Sequence, residues 1–275
     1  MKFKALCTDI DGTLLNKERE LSIRTIAAIK SLDKSIPVIL ASSRMPKAMR
    51  HLQRELDILS YPLICYNGGY VVQYENEPAK PNVIDSVQIP ISICSSIVTS
   101  TAGGNIHVSL YHDDDWYAPR QDQWTEREAR ITKASPTIKD STSVLNDWSN
   151  SEQGAHKVMC MGPEDEIFKL YNELVKDFSN HLHIYRSKST YLEIAPRKIS
   201  KASALKLILK KRYNIELSET IAFGDNYNDI ELIQTVGLGV AVGNARPEVK
   251  DVAKEITSNS QDDGVALVIE KYFKP

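Results

Sequence analysis

The sequence lacks several features that would assign it to a special class of protein. No apolar run approaches the ~18 residues that a membrane span needs, and we expect no signal peptide. The four cysteines are far apart and form no Cys-x-x-Cys pair, so neither a zinc site nor a disulfide framework is expected. No basic block suggests nucleic acid. We therefore expect a cytoplasmic protein that binds neither nucleic acid nor a membrane.

What is present is the composition of an ordinary globular protein. The chain has 275 residues, 42% of them hydrophobic, and a formal net charge of −2 with both signs mixed along it. This length is enough for one large core or two modest domains. The oligomeric state stays unknown at this level.

Buried strands and amphipathic helices alternate at both ends of the chain. Continuous apolar runs such as 36–41 and 220–223 are typical of strands buried on both faces. We therefore predict an α/β core with a doubly wound parallel, Rossmann-like sheet, formed by residues 1–84 and 191–275. Residues 85–190 contain strand candidates that alternate apolar and polar residues. They predict an inserted α+β domain.

The most informative stretch is Asp9-Ile10-Asp11-Gly12-Thr13, which follows a buried strand. Because side chains alternate along a strand, Asp9 and Asp11 leave it on the same face. Two such charges repel by about 4 kcal/mol at ~4 Å and an effective dielectric of ~20. They need a cation, a shared proton or open solvent, and Mg²⁺ accepts carboxylate ligands. An ordinary turn, in which Asp and Gly are common, is the alternative reading.

Polar side chains also follow the other predicted buried strands. In an open parallel sheet the carboxyl ends of the strands share one edge, where ligands bind. The residues at these ends are Asp9 and Asp11, Ser42 and Ser43, Asn67 and Gly68, and Asp225, Asn228 and Asp229. Four carboxylates at one edge would repel strongly without a cation, which favours a metal site.

Lys201 is the remaining candidate. Ser200 is expected to cap the helix that follows it, so Lys201 lies in the first turn, where a cation opposes the macrodipole by roughly 0.3–1 kcal/mol. Two interpretations are open: a solvent-exposed lysine that accepts this small cost, or a lysine that faces an anion bound near the helix start.

Together these motifs resemble those of the haloacid-dehalogenase-like (HAD) phosphohydrolase superfamily, and within it the Cof-like sugar phosphatases with a type II cap. The motif Asp-x-Asp-Gly-Thr stands at residues 9–13, and Gly-Asp-x-x-Asn-Asp stands at 224–229. These two motifs carry most of the resemblance. The inserted domain, residues 85–190, resembles the cap domain of the subfamily only in its length and its place in the chain.

Three shorter stretches add to the resemblance. The Ala-Thr-Gly-Arg motif appears as Ala-Ser-Ser-Arg at 41–44, which puts Ser42 at the phosphate-binding position with Ser43 as the alternative. The Ser-Lys-Gly motif keeps its lysine, Lys201, but not its glycine. Asn67 and Gly68 match the Asn-Gly turn of the subfamily.

The resemblance implies a role for each matched residue. Asp9 would be the nucleophile that forms an aspartyl-phosphate, and Asp11 the general acid and base. Mg²⁺ would be held by Asp9, the Asp11 carbonyl and Asp225. Asp229 would orient Lys201 or a metal-bound water. The residues that would bind phosphate or substrate are Ser42, Lys201, Asn228, Asn67 and Gly68.

The expected reaction is hydrolysis of small phosphorylated metabolites. Sugar phosphates are the leading class by resemblance, with pyridoxal phosphate and nucleotides as alternatives, and the inserted domain is expected to select the leaving group. Two other functions stay open. One is a phosphotransferase or phosphomutase that uses the same nucleophile, and the other is a catalytically silent regulatory protein on this fold.

Overall fold

The computed structural model describes residues 3–74, 80–151 and 153–273. Its chain forms two compact units. The core unit comprises Met1–Ser43, Met49–Asp85 and Ser200–Pro275. The inserted unit comprises Arg44–Ala48 and Ser86–Ile199. Among the described helices, none combines the length and the apolar character that crossing a bilayer requires.

Strands and helices are numbered in chain order. The strands are β1 (Ala5–Thr8), β2 (Val38–Ala41), β3 (Leu63–Cys65), β4 (Tyr70–Tyr74), β5 (Pro81–Ser86), β6 (His107–His112), β7 (Asp115–Ala118), β8 (Thr137–Ile138), β9 (Lys157–Met161), β10 (Leu182–Lys188), β11 (Tyr191–Pro196), β12 (Thr220–Gly224), β13 (Leu238–Ala241) and β14 (Glu255–Ile256). The helices are α1 (Ile23–Lys30), α2 (Lys47–Leu56), α3 (Ile91–Ser100), α4 (Gln123–Thr132), α5 (Ser141–Ser149), α6 (Glu164–Phe178), α7 (Lys201–Ile208), α8 (Ile230–Thr235), α9 (Pro247–Val252) and α10 (Gly264–Phe273).

The core unit is built on one sheet of order β14-β13-β12-β1-β2-β3-β4-β5. The pairs from β14 to β3 are parallel, and β4 runs antiparallel to β3. The parallel strands β1, β2, β3, β12 and β13 are buried along their whole length, as expected for strands covered on both faces. The predicted α/β class with a doubly wound parallel sheet is therefore confirmed.

Strand β1 lies in the middle of the core sheet. Its neighbours are β12 on one side and β2 on the other, which come from distant parts of the chain. Strand order reverses around β1, so the loops that leave its carboxyl end and that of β12 diverge into a crevice at that edge.

The inserted unit has a mostly antiparallel sheet of order β10-β11-β9-β6-β7-β8, in which only the β7–β8 pair is parallel among the described pairs. Helices α3, α5 and α6 pack against one face of it through a common cluster of buried apolar side chains. The α+β character predicted for the insertion is present.

The boundary at the end of the inserted unit differs from the predicted one. Residues from 191 onward were expected in the core, but β11 pairs with β10 on one side and β9 on the other. A strand hydrogen-bonded on both sides belongs to that sheet, so the inserted unit continues to Ile199. The core resumes at Ser200, the N-cap of α7.

Candidate active site

Asp9 and Asp225 leave neighbouring parallel strands at the same edge of the core sheet. Strand β1 pairs with β12 so that Thr8 lies opposite Phe223. The backbone N–H of Asp9 continues this ladder and donates to the carbonyl oxygen of Phe223 at 3.1 Å. Asp225 directly follows Gly224, the last residue of β12. Two carboxylates that are far apart in sequence are thus brought together by strand pairing.

Lys201 is fully buried and joins two of the carboxylates. Its Nζ donates to Asp9 Oδ1 at 2.5 Å and to Asp229 Oδ1 at 2.7 Å. Of the two interpretations of this lysine, the solvent-exposed one is wrong, because the side chain is 0% exposed. Burial by itself lowers the pKa of Lys201, but the carboxylates of Asp229 and Asp9 raise it above its ordinary value. The side chain therefore remains an ammonium ion.

Asp229 is fixed by its second oxygen. Asp229 Oδ2 accepts hydrogen bonds from the backbone N–H groups of Asp225 at 3.0 Å and Asn226 at 3.1 Å. A Cβ atom on Gly224 would lie 2.4 Å from Asp229 Cβ, so only glycine permits this approach. With one oxygen held by the backbone and the other by Lys201, the geometry suits a residue that orients the lysine.

The carboxylates of Asp9, Asp225 and Asp229 form a compact cluster. Each offers an oxygen, and these oxygens all lie within 4.8 Å of one another. Burial first, and then the nearby Asp229 carboxylate, raise the pKa of Asp225 to about 6. Burial also raises the pKa of Asp9, although Lys201 acts in the opposite direction.

This cluster fits a hard divalent cation. Three carboxylates face one ammonium group, so full ionisation leaves an excess of negative charge in a buried place. Mg²⁺ takes one or two carboxylates together with water and phosphate oxygens. Asp9 and Asp225 would hold it, because both oxygens of Asp229 already accept hydrogen bonds.

Gly12 brings the loop after β1 against Asp225. Its φ of +86° lies in the left-handed region, and a Cβ there would lie 2.5 Å from Asp225 Oδ2. Thr13 Oγ1 donates to Asp225 Oδ1 at 3.1 Å. Asn244, just beyond β13, donates from Nδ2 to the Gly12 carbonyl oxygen at 2.7 Å. The loop is therefore anchored from both sides.

Ser42, Asn67, Gly68 and Asn228 lie in a linked set at the same edge. The Asn67 N–H donates to the Ser42 carbonyl oxygen at 2.9 Å, and Asn228 Nδ2 donates to Asn67 Oδ1 at 2.9 Å. Gly68 has a φ of +109°, and a Cβ there would lie 2.6 Å from the Ser200 carbonyl oxygen. The Asn-Gly turn thus packs directly on the start of α7.

Asp11 is oriented differently from Asp9. Its Oδ1 accepts from Arg19 Nη1 at 2.9 Å, and the two side chains are 39% and 42% exposed. The Asp9 side chain, by contrast, is 8% exposed. The two acidic residues of the motif therefore have separate environments, one buried beside Lys201 and one open to solvent.

Several residues of the site were not singled out from the sequence. Thr13 belongs to the first motif but had no assigned role, and Asn244 follows a buried strand, so the rule of strand ends could have found it. Arg19 gave no signal, because an arginine in a polar loop is ordinary. Only the folded loop brings it to Asp11.

The inserted unit holds a second cluster of possible metal ligands, His112, Asp113 and His156. The hydrogen bonds around these rings have a structural pattern. His112 Nδ1 lies 2.7 Å from the Gly154 carbonyl oxygen, and His156 Nδ1 accepts from the Asp113 N–H at 2.9 Å. His156 Nε2 must then carry the proton, and it lies 2.9 Å from Ser86 Oγ. A protonated nitrogen is not a metal ligand.

Comparison with known proteins agrees with this geometry. The family model of the haloacid dehalogenase-like hydrolases matches residues 6–269. A Haemophilus influenzae protein named "Putative phosphatase" is 31% identical over 99% of this chain and 99% of its own length. A Yersinia pseudotuberculosis protein named "HMP-PP phosphatase" is 26% identical over 98% of this chain and 96% of its own length.

A solved structure is also similar over almost its whole length. The crystal structure of a haloacid dehalogenase-like hydrolase from Bacteroides thetaiotaomicron superposes with a TM-score of 0.85 and 26% identity, covering 98% of this chain and 100% of that chain. Sequence motifs, fold and relatives therefore agree. The chain belongs to the haloacid dehalogenase-like hydrolase family and is an enzyme of the phosphatase kind.

Proposed function

We propose that this enzyme hydrolyses phosphomonoesters of small metabolites with Mg²⁺, through an aspartyl-phosphate on Asp9. The observation that carries the proposal is the contact of the buried Lys201 ammonium with Asp9 and Asp229 beside Asp225. A buried carboxylate that accepts a hydrogen bond from an ammonium is fixed in position and needs no base to activate it. Mg²⁺, when bound, supplies positive charge that screens Asp9 from the phosphoryl oxygens.

The reaction divides into two displacements at phosphorus. An Asp9 oxygen attacks in line and forms the new P–O bond, while the ester P–O bond breaks and its electron pair leaves with the alkoxide. Asp11 gives its proton to that oxygen. A water then attacks the same phosphorus, Asp11 takes its proton, and the P–O bond to Asp9 breaks. Phosphate is released, Asp9 is again a carboxylate, and Asp11 again carries the proton that it gave up in the first displacement.

The other residues of the site would position the phosphoryl group. Lys201 would neutralise phosphoryl oxygens as well as Asp9, and Ser42, Asn228, Asn67 and Gly68 would hold the remaining oxygens. Fixed donors of this kind stabilise the charge spread over a loose phosphoryl-transfer transition state. The hydrogen bond between Asn228 and Asn67 supports this assignment, because it keeps two of these side chains in register.

Sugar phosphates are the substrates that we propose first. The support is the resemblance of the motifs to those of Cof-like sugar phosphatases, and the inserted unit would carry the residues that select the leaving group. The four cysteines are free and buried. Such thiols suit a reducing cytoplasm, where small phosphorylated metabolites occur.

Phosphate release from a panel of phosphorylated metabolites, with and without Mg²⁺, tests the proposal. Asp9→Asn should abolish turnover of every substrate, p-nitrophenyl phosphate included, because an amide cannot be the nucleophile. Asp251→Asn is the matched control, since Asp251 is exposed on α9. Normal turnover by Asp9→Asn would contradict the mechanism.

The same panel separates the two rival functions. An isomerised sugar phosphate without release of free phosphate would identify a phosphomutase or phosphotransferase that uses Asp9. No reaction of the wild type with any substrate would favour a catalytically silent protein. An acid quench during turnover traps phosphate label that is bound to Asp9. The absence of such label would contradict the covalent intermediate.

A further inference from the structure

A pocket of about 320 Å³ opens beside the candidate active site within the core unit. It is lined by Asp11, Gly12, Leu15, Asn16, Lys17 and Arg19. Two of these residues, Asp11 and Gly12, also belong to the site described above. The volume is in the range of small-molecule sites. The pocket is therefore a neighbouring compartment of the same site.

The loop around this pocket is organised to present Arg19. The Arg19 N–H donates to the Asn16 carbonyl oxygen at 3.1 Å, and the Asn16 N–H donates to the Glu20 carbonyl oxygen at 3.0 Å. The Glu20 N–H donates to Asn16 Oδ1 at 2.8 Å. Arg19 itself has a φ of +61°, which is uncommon for a residue other than glycine. Such a conformation persists only where the surroundings enforce it.

The side chains that line the pocket carry two cations, Lys17 and Arg19, and one carboxylate, that of Asp11, so the lining has a net positive charge. A guanidinium group has five N–H donors, and the contact with Asp11 uses Nη1. The Arg19 side chain is 42% exposed and lines the pocket, so part of it is open to a ligand. A fork of this kind matches phosphate or carboxylate oxygens.

The position of the pocket indicates which part of a substrate would reach it. Under the proposed function, Asp11 protonates the oxygen of the leaving group. The remainder of the leaving group then continues from the atoms beside Asp11. Since the Asp11 side chain also lines the pocket, a substituent a few bonds away from the scissile phosphate would extend into it.

We propose that this pocket binds a second anionic group, a phosphate or a carboxylate, carried by the leaving portion of the substrate, with Arg19 as its principal ligand and Lys17 as an additional one. This inference rests on the proposed function. If the pocket binds such a group, metabolites that carry a second phosphate or a carboxylate should be better substrates than the matching monophosphates.

Two pairs of probes measure this preference. Fructose 1,6-bisphosphate is compared with fructose 6-phosphate, and 6-phosphogluconate with glucose 6-phosphate, each as a ratio of kcat/KM. The first pair tests a second phosphate and the second pair tests a carboxylate. Wild type should favour the member with the second anionic group in at least one pair. That pair identifies whether the group bound is a phosphate or a carboxylate.

The variant Arg19→Ala should lower that ratio by about tenfold, the effect of removing a charged hydrogen-bond partner. Taking the ratio cancels any effect of Arg19 on Asp11, because both substrates of a pair need the same acid. Lys17→Ala should lower the ratio less. Arg212→Ala, an exposed arginine elsewhere on the core unit, should leave it unchanged.

Two results would overturn the inference: a wild-type ratio near one for both pairs, or an Arg19→Ala ratio equal to that of wild type. Failure of the proposed function gives a different result, namely no Mg²⁺-dependent phosphate release from any probe. In that case, calorimetric titration of fructose 1,6-bisphosphate into wild type and Arg19→Ala decides the question. Equal affinities would count against the pocket, and about tenfold weaker binding by the variant would support it.

Discussion

Replacing Lys201 by methionine tests the electrostatic arrangement of the site most directly. Methionine has a similar length and fills much of the same volume, but it lacks the ammonium group. Lys201 is 0% exposed, and its Nζ contacts Asp9 at 2.5 Å and Asp229 at 2.7 Å. The change therefore leaves both carboxylates buried without their cation.

The expected loss in unfolding free energy is large. Removing one partner of a buried ion pair typically costs about 3–5 kcal/mol, because the remaining charge stays uncompensated. Lys206→Met is the matched control on the same helix, since Lys206 is exposed there. A surface change of that kind should stay within about 0.5 kcal/mol. Equilibrium denaturation in urea at neutral pH, without Mg²⁺, measures both variants.

The sign of the pH dependence follows from the same cluster. Without Lys201, the pKa of Asp9 in the folded protein should rise further above its unfolded value. The folded state then binds a proton that the unfolded state has released, so stability falls as the pH rises through that interval. The penalty of Lys201→Met should accordingly shrink towards acidic pH, and added Mg²⁺ should also reduce it.

A second substitution protects the test against a variant that fails to fold. In the Lys201→Met background, Asp229→Asn removes one of the stranded charges while its amide oxygen can still accept from the backbone N–H groups of Asp225 and Asn226. The double variant should be more stable than Lys201→Met alone. The reasoning is refuted if Lys201→Met costs no more than Lys206→Met, or if Asp229→Asn adds to the loss.

Three further predictions concern the same site. The pKa of Asp225 in the folded protein is raised to about 6, so this one group should remove about 2 kcal/mol of stability from the metal-free protein between pH 4 and pH 7. Thermal melts at the two pH values should show that wild type loses about that much more stability than Asp225→Asn. Gly12→Ala should destabilise the protein by more than about 1 kcal/mol, because φ is +86° and the new Cβ would meet Asp225 Oδ2. The same clash should raise the Mg²⁺ concentration needed for half-maximal turnover. A normal Mg²⁺ activation constant would contradict the close approach. Ser42→Ala should lower kcat/KM by about tenfold, the value of one charged hydrogen bond, and Ser43→Ala by less; the reverse order would assign the phosphate contact to Ser43.

Much of the core followed from local patterns. The continuous apolar runs predicted β1, β2, β3 and β12, because strands buried on both faces need no polar positions. Ser200 was expected to cap a helix, and in the structure its side chain accepts from the backbone N–H of Ser203, the third residue of α7. Strands β4 and β5, the last two on one side of the sheet, were not predicted. Strand β5 is exposed or partly exposed at every position, so it has no hydrophobic signature to detect.

The sequence by itself determined which residue types follow each buried strand, and thereby that acidic and amide side chains collect at one sheet edge. That result depends only on the alternation of side chains along a strand and on the order of strands and helices in the chain. The pairing of Asp9 with Lys201 and the approach of Arg19 to Asp11 were decided only by the tertiary structure. Both depend on how far a side chain reaches across a folded loop or helix start, and Lys201 is 192 positions from Asp9 in the chain. The burial of Lys201 was likewise invisible in a sequence, because a helix-start lysine is exposed or enclosed according to what packs over it.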